Sequence, residues 1–457
     1  MQEKSAQAEN ELWDAVGEAL DAEMSTVEDV LESLARTQKG NVKSSIENCM
    51  TILYRDPLLK NAICKNELTN KTDIVKPLSW KRNGSCVTDV DMYQIQRYIE
   101  TNYGISNDKA INKAVSIIAS EKSYHPIRKF FEKLQWDGKS RISSLLPRFL
   151  GADDNEYTRE IMRLLMLAAI HRIYEPGCKF EIMVCLVGGQ GAGKSTFFRF
   201  LAVNDEWFTD DLKRMDDENV YSKMQGHWII EMSEMLATVN AKSIEDIKSF
   251  LSRQKETYRI PYQTYAEDRP RQCIFAGTSN NLDFLPLDRT GNRRFAPVLV
   301  HPERVEKHIL ADEKESREYI VQAWAEAVVI YKNCAHELKL SKKMEEHLKE
   351  MQKQFMPEDT KVGIIQAWLD DCRGEYVCSE MIYREALRHE YEEPKQWEIK
   401  EINSIMNTCI DGWEKISSHR FDKYGLQRGW KRKTDSQGFS PLPDNAQMPF
   451  KQGTVLF

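Results

Sequence analysis

At 457 residues, 41% hydrophobic and 30% charged, with 17 Phe, 17 Tyr and 10 Trp, the chain is long and apolar enough for several folded domains and is not a disordered one. A net charge of −7 excludes a uniformly basic nucleic-acid coat but not a local basic channel. Of 71 acidic and 64 basic side chains, residues 1–40 hold ten acids and three bases, so residues 41–457 carry 61 of each.

Ten cysteines are scattered singly, without the C-x-x-C pairs of a zinc site, and several lie in apolar runs such as Val184-Cys185-Leu186. This usage predicts reduced thiols and a cytoplasmic protein. The first residues lack an apolar signal-peptide core, and no run approaches the ~18 uncharged apolar residues of a membrane span, so no membrane partner is expected.

In chain order, Trp13, Val16, Leu20, Met24, Val27, Leu31 and Leu34 recur at steps of three and four, which predicts an acidic helical arm over residues 1–36. Ser25 and Glu28 have the spacing of a helix restart. The arm is either a solvated helix pair packed on the next domain or a docking segment for a partner. Residues 37–180 read as a helical domain. Ser44-Ser45-Ile46-Glu47, Thr88-Asp89 and Asn107 open helices, and a long one from Tyr157 to Tyr174 stops at Pro176-Gly177. The polar stretch Asn66–Lys81 reads as a connector.

At residue 181 the texture changes. Glu181–Val187 is an apolar run too short for a helix, hence a buried strand, and a glycine-rich loop and a helix over Thr196–Leu201 follow it. Further strands are predicted at His227–Ile230, Tyr258–Tyr262, Gln272–Gly277 and Arg294–Val300, with helical segments between. Strands alternating with helices predict an α/β core with a mainly parallel sheet over residues 181–340. Residues 314–355 are helical, with a linker over 341–357 and a break at Met356-Pro357. In residues 358–457, helices at 361–372, 379–390 and 397–410 precede strands at 413–418 and 427–433, the order of a small winged-helix-like domain.

Gly188-Gly189-Gln190-Gly191-Ala192-Gly193-Lys194-Ser195 fits the phosphate-loop pattern G-x-x-x-x-G-K-[ST] residue for residue. Glycines let successive N–H groups turn inward onto a phosphate, and the next helix presents its positive end to the same anion. Gly188 to Ser195, with Thr196 behind them, are therefore the nucleotide-binding candidates. Lys194 is expected on the β- and γ-phosphates of ATP, and Ser195 on Mg²⁺. The strand His227–Ile230 leads into Glu231-Met232-Ser233-Glu234. Glu231 is the metal-side candidate and Glu234 the water-activating one, or the two share these roles. Asn280, after the strand Cys273–Gly277, is placed to sense the γ-phosphate. Arg293 and Arg294 follow a Gly-Asn turn with no carboxylate close in sequence. They suit a finger that reaches a neighbouring subunit's nucleotide, or else surface positions or an internal ion pair.

The chain resembles the virulence-associated E family, phage- and island-encoded proteins related to superfamily 3 helicases of the AAA+ class. The resemblance spans residues 37 to 300. Besides the phosphate loop it rests on Tyr124-His125-Pro126-Ile127-Arg128, Trp136-Asp137-Gly138-Lys139-Ser140-Arg141, Glu175-Pro176-Gly177-Cys178-Lys179, Pro270-Arg271-Gln272-Cys273 and Thr290-Gly291-Asn292-Arg293-Arg294. It implies an AAA+ P-loop core in an ATP-driven DNA helicase that forms a ring, a hexamer, for replication of a mobile element. Single-stranded and forked DNA are the implied partners, with a separate primase or replication initiator. Larger relatives carry a primase-like domain ahead of this region; only residues 1–36 precede it here, so primase activity is not expected of this chain.

Where such enzymes place Asp-Glu consecutively, this chain has Met232 after Glu231. The resemblance also implies a DNA-contacting hairpin over Lys255–Arg271. Its candidates are Lys255, Arg259, Tyr262 and Arg271, unless Tyr258 and Tyr262 are core residues and the charges solvated. In the C-terminal domain Lys415, Arg420, Lys423, Arg428, Lys431, Arg432 and Lys433 cluster on the predicted wing. They grip duplex phosphates or face an acidic neighbour. A second function class stays open: a nucleotide-switched DNA-binding or regulatory ATPase that recognises an origin, or interferes with one, without separating strands.

Overall fold

The structure, a computed structural model, describes residues 26–212, 220–233, 241–258, 266–285, 292–333 and 338–433. It forms two compact units that meet in sequence at Met356 and Pro357. Among the described residues no helix is long and apolar enough to cross a membrane.

Among the described residues the first unit opens with the helix Val27–Ser33; residues 1–25 of the expected acidic arm lie outside them. The helix cap is Thr26, not Ser25, and Asp29 closes the capping box. With helices Ile46–Arg55, Asp89–Tyr103 and Asp108–Glu121 it encloses a core of Val30, Ile52, Ile63, Ile95, Ile111 and Ile118. Helices do not account for all of this region. The stretch read as a connector holds half of a hairpin, β1 (Ile63–Asn66) with β2 (Lys71–Ile74), and β3 (Ser123–Tyr124) pairs with β1 on the other side. The segment is polar because its polar groups partner one another. Buried Asp73 accepts from Asn66 Nδ2 at 2.9 Å and Tyr124 Oη at 2.6 Å, and Asn66 Oδ1 accepts the Leu68 N–H across the turn.

The second core crosses residue 180, where the sequence places a boundary. Five parallel strands, β4 (Met183–Val187), β5 (Phe208–Thr209), β6 (Ile229–Ser233), β9 (Ile274–Ser279) and β10 (Phe295–Leu299), lie in the order β10-β4-β9-β6-β5. Alternate residues serve opposite faces, as the strand period requires. Val184, Leu186, Ile229, Ile274, Ala276 and Val298 pack under helices Glu156–Tyr174, Lys194–Leu201 and Glu313–Asn333. Met183, Cys185, Val187, Ile230, Met232 and Phe275 pack under the helix Ala241–Ser252, through Ile247, Phe250 and Leu251. Both faces are buried, which is why β4 reads as an uninterrupted apolar run. β6 and β9 each extend past their sequence-predicted ends, so Glu231 and Thr278 are strand residues. Among the described residues the stretch read as helical over 314–355 holds two helices, Glu313–Asn333 and Lys342–Lys353.

Several sequence blocks outside the phosphate loop turn out to be tie points. Buried Glu326 accepts the Ser140 hydroxyl and the backbone N–H groups of Arg141 and Ile142, the latter at 2.9 Å, while Arg141 and Asp137 pair at 2.6 Å. His125 caps the helix Pro126–Glu132 and meets Gln272 at 2.8 Å. Gly177 donates its N–H to the Arg271 carbonyl at 2.9 Å, and a Cβ there would lie 3.2 Å from Pro270.

In the second unit, helices Thr360–Asp371 and Gln396–Thr408 match the sequence reading, whereas 379–390 is a short helix, Ser379–Met381, continued by a π-turn over Ile382–Ala386. The wing is the antiparallel pair β12 (Trp413–Phe421) and β13 (Gly425–Arg432), and β11 (Tyr376–Cys378) adds a third strand against β13. Trp430, 2% exposed, donates to Asn407 at 3.0 Å and locks the wing's base to the helix.

Replacing Glu326 leaves a buried N–H group, that of Ile142, and the half-buried N–H of Arg141 without an acceptor. Glu326→Ala is expected to lower the unfolding free energy by about 3 kcal/mol in urea titrations of the full chain.

Candidate nucleotide site

The site forms where three neighbouring parallel strands end. β9 lies between β4 and β6, so the loop after β4, the end of β9 and the acid of β6 come together. Gly188, Gly191 and Gly193 all have positive φ, and a Cβ on Gly188 would stand 2.6 Å from Val300 Cγ2 and 2.8 Å from the Val300 carbonyl oxygen. Glycine is thus required by close approach as well as by backbone freedom. The helix Lys194–Leu201 starts directly from Gly193, without a side-chain cap, so its first N–H groups stay open toward the loop.

Lys194 is 7% exposed. Its ammonium donates to the carbonyl oxygens of Gly188 and Gly189, both at 2.7 Å, and to Asn280 Oδ1 at 3.0 Å. Loop lysine and sensor candidate therefore touch directly. Burial lowers the lysine pKa from its ordinary value, against the attraction of Glu231. Glu231 is fully buried on the sheet face that carries the phosphate-loop helix. Ser195 Oγ donates to its Oε1 at 2.7 Å, and so does Thr278 Oγ1, while Oε2 is buried with no partner among the described residues. Burial raises the Glu231 pKa, and the two hydroxyl donors and Lys194 only partly oppose it.

An orphaned carboxylate oxygen beside a serine hydroxyl and an anion loop fits a hard divalent cation. No cluster of three His, Cys, Asp or Glu suited to a metal occurs among the described residues. Ser195 and Glu231 would thus hold Mg²⁺ only together with oxygens brought by a ligand and water. Thr278 is a site residue that sequence reasoning missed. Its one signal is a hydroxyl near the end of an otherwise apolar strand, two residues before Asn280.

Residues 131–357 match the family described as the virulence-associated protein E-like domain. That segment of the chain belongs to this family. No curated protein matches the chain. Among solved structures it is similar to the NrS-1 C-terminal region in its A form apo structure, at 12% identity and a TM-score of 0.45, and in a second apo structure at 12% and 0.46. Each comparison covers 81% of this chain and 96% of that one.

Within the E-like domain the two arginines lie far from the phosphate loop of their own chain. Phe295 pairs with Met183 at the start of β4, whereas the loop leaves its other end. Five residues at about 3.3 Å each separate the two edges by roughly 16 Å. Both arginines meet Glu181, Arg293 at 3.0 Å and Arg294 at 3.1 Å, and Arg294 also donates to Ser252 Oγ at 2.9 Å. The internal ion pair left open by the sequence is therefore present. Its carboxylate lies more than a hundred residues away in sequence, which hid it. Arg293 remains 67% exposed and Arg294 19%.

The implied hairpin exists as β7 (Lys255–Tyr258) paired antiparallel with β8 (Glu267–Pro270). Arg271 is not available to DNA. Its side chain is 1% exposed, donates to Glu256 Oε1 at 2.7 Å and to the Phe250 carbonyl at 2.6 Å, and lies over the rings of Phe250 and Phe275. A guanidinium next to apolar β9 is pulled inward by those rings and that carboxylate. Lys255 is exposed but paired with Asp268. Glu234, Arg259 and Tyr262 lie outside the described residues.

Two outcomes follow. Glu231 has a raised folded pKa, so its burial penalty grows as pH rises above the unfolded value and is absent at low pH. Glu231→Gln should therefore raise the nucleotide-free Tm at pH 7 by about 2–4 °C, and the gain should shrink toward pH 4 in calorimetric scans. Arg271→Met removes one partner of a buried pair and should cost about 3–5 kcal/mol in urea unfolding.

Proposed function

We propose that this chain is an ATPase of the AAA+ phosphate-loop class that drives a DNA-unwinding motor, assembled as a ring, in replication of a phage or mobile element. The observation that carries this reading is the constellation of Lys194, Ser195, Glu231, Thr278 and Asn280 at the ends of β4, β6 and β9. The loop amides and Lys194 bind the phosphates. Lys194 releases the Gly188 and Gly189 carbonyls and turns to the β- and γ-oxygens. Asn280, already on the lysine, orients the terminal phosphate and the attacking water. Ser195 and Glu231 would hold Mg²⁺, which when bound supplies charge neutralisation at the phosphate oxygens. Glu231, fixed by two hydroxyls, presents its free Oε2 to that side of the site; Glu234 is the further acid proposed for the water.

The separation of Arg293 and Arg294 from their own phosphate loop supports hydrolysis between subunits, with Arg293, the more exposed, as the finger. The E-like family supports placing the motor in a mobile element's replication, on single-stranded or forked DNA and beside a separate primase or initiator. One observation favours a second reading. Of the channel-hairpin cations in view, Arg271 is buried and Lys255 neutralised, which suits a nucleotide-switched DNA-binding ATPase without strand separation.

Lys194→Ala is expected to abolish ATP hydrolysis measured by phosphate release. Arg293→Ala should spare binding of a fluorescent ATP analogue and lower turnover by as much as ~10³-fold. Unchanged turnover in both Arg293→Ala and Arg294→Ala would remove the finger. A forked duplex with a fluorophore and quencher separates the two readings: ATP-dependent opening supports the motor, and ATP-dependent binding without opening supports the switch.

A further inference from the structure

Some exposed cations elsewhere in the chain, such as Arg304, Lys343 and Lys353, meet a carboxylate. Those of the β12–β13 wing do not. Lys415, Arg420, Lys423, Arg428 and Lys433 are exposed, and none has a carboxylate within 4.0 Å among the described residues.

Their placement follows from the strand register. Lys415 stands opposite Trp430 and Arg420 opposite Leu426. Paired residues share a face and residues two apart return to it, so Lys415, Arg420 and Arg428 lie on one face of the hairpin. The irregularity between Ile416 and His419 sets two residues of β12 against Arg428 and preserves that phase. Acids are engaged on the opposite face, where Gln427 donates to Glu380 at 2.6 Å. Lys431, over the Tyr376 ring, lies on that opposite face as well, so the wing carries cations on both sides. Its basic row spans ~14 Å, the axial length of about four phosphates of one duplex strand.

The same face says what it does not bind. Its aromatics, Trp413 and Trp430, are 8% and 2% exposed and packed on the helices of the unit, so no ring is free to stack on an unpaired base. Single-strand binding depends on such rings, whereas gripping a duplex backbone needs cations alone. Leu426, 74% exposed between the cations, adds an apolar contact of the kind that fits a groove edge.

We propose that this face of the wing binds the phosphate backbone of duplex DNA without reading its sequence. The choice of DNA rests on the proposed replication role; the wing's own chemistry does not depend on the nucleotide site. The test uses the full chain without nucleotide and a short mixed-sequence DNA duplex, followed by fluorescence anisotropy over a salt series. The triple variant Lys415→Ser, Arg420→Ser, Arg428→Ser should bind the duplex about tenfold or more weakly at low salt, with a log K against log salt slope smaller by up to about 3. A control variant that removes three paired cations (Arg304→Ser, Lys343→Ser and Lys353→Ser) should stay within about twofold of wild type. ATP hydrolysis without DNA, measured alongside, should be the same in wild type and triple variant. Its absence from wild type counts against the nucleotide reading and leaves the wing result standing. Duplex affinity and salt slope unchanged in the triple variant, or lost equally in the control, overturn the proposal. So does a change in self-association with duplex affinity intact, which makes the face a protein contact.

Discussion

Everything at the candidate site turns on two buried charges that are not paired with each other. Lys194 and Glu231 both lie within the protein, each shifted toward neutrality by burial, and each is solvated by dipoles instead of by an opposite charge. Carbonyls and an amide oxygen hold the ammonium, and hydroxyls hold half of the carboxylate. Such an arrangement is costly, because dipoles compensate a buried charge less well than water does. An anionic ligand carrying its own cation relieves both costs at once, the phosphates meeting the lysine and the cation meeting the glutamate. In the proposed reading, binding energy would come from the protein's own burial costs, and the site would favour a metal-loaded polyphosphate over a bare anion.

The sheet order is what allows this. With β9 between β4 and β6, its last residues touch the loop on one side and the acid strand on the other. Thr278 reaches Glu231 and Asn280 reaches Lys194 from positions two residues apart in sequence. A strand inserted elsewhere would leave the two charges without the element that couples them. The alternation of β9 also assigns the roles, since Thr278 faces the phosphate-loop helix with Glu231 while Asn280 follows the strand's end.

What the sequence made legible divides along the range of the interactions. The phosphate loop, its flanking strand and helix, and the acid candidate Glu231 were readable because their chemistry is local: glycine spacing, an apolar run and a carboxylate at a strand's end. The caps Thr88 and Asn107 were readable for the same reason. The partner of Arg293 and Arg294 was not, because Glu181 is brought to them only by the pairing of β10 with β4. Nor was the burial of Arg271, which depends on Phe250 and Phe275 from two other elements. The β1–β2 hairpin hid in a polar segment because its buried carboxylate, amide and phenol satisfy one another, so the apolar alternation that marks a strand was missing.

The arginine pair carries the same logic one step further. An exposed guanidinium is usually solvated; here two of them meet one carboxylate that also accepts from Ser252, at the edge of the sheet opposite the phosphate loop. Glu181 has a lowered pKa even though its burial works against it, as the Ser252 hydroxyl and both cations require. Arg294, largely enclosed, ties the short helix Asn292–Arg294 to Glu181 and Ser252. Arg293, largely exposed and held by one nitrogen, is free to exchange partners at the modest cost of an exposed ion pair. Two adjacent residues of the same type therefore do different work. One holds the short helix Asn292–Arg294 in place, and the other, under the proposed function, offers its positive charge to a phosphate on a second molecule.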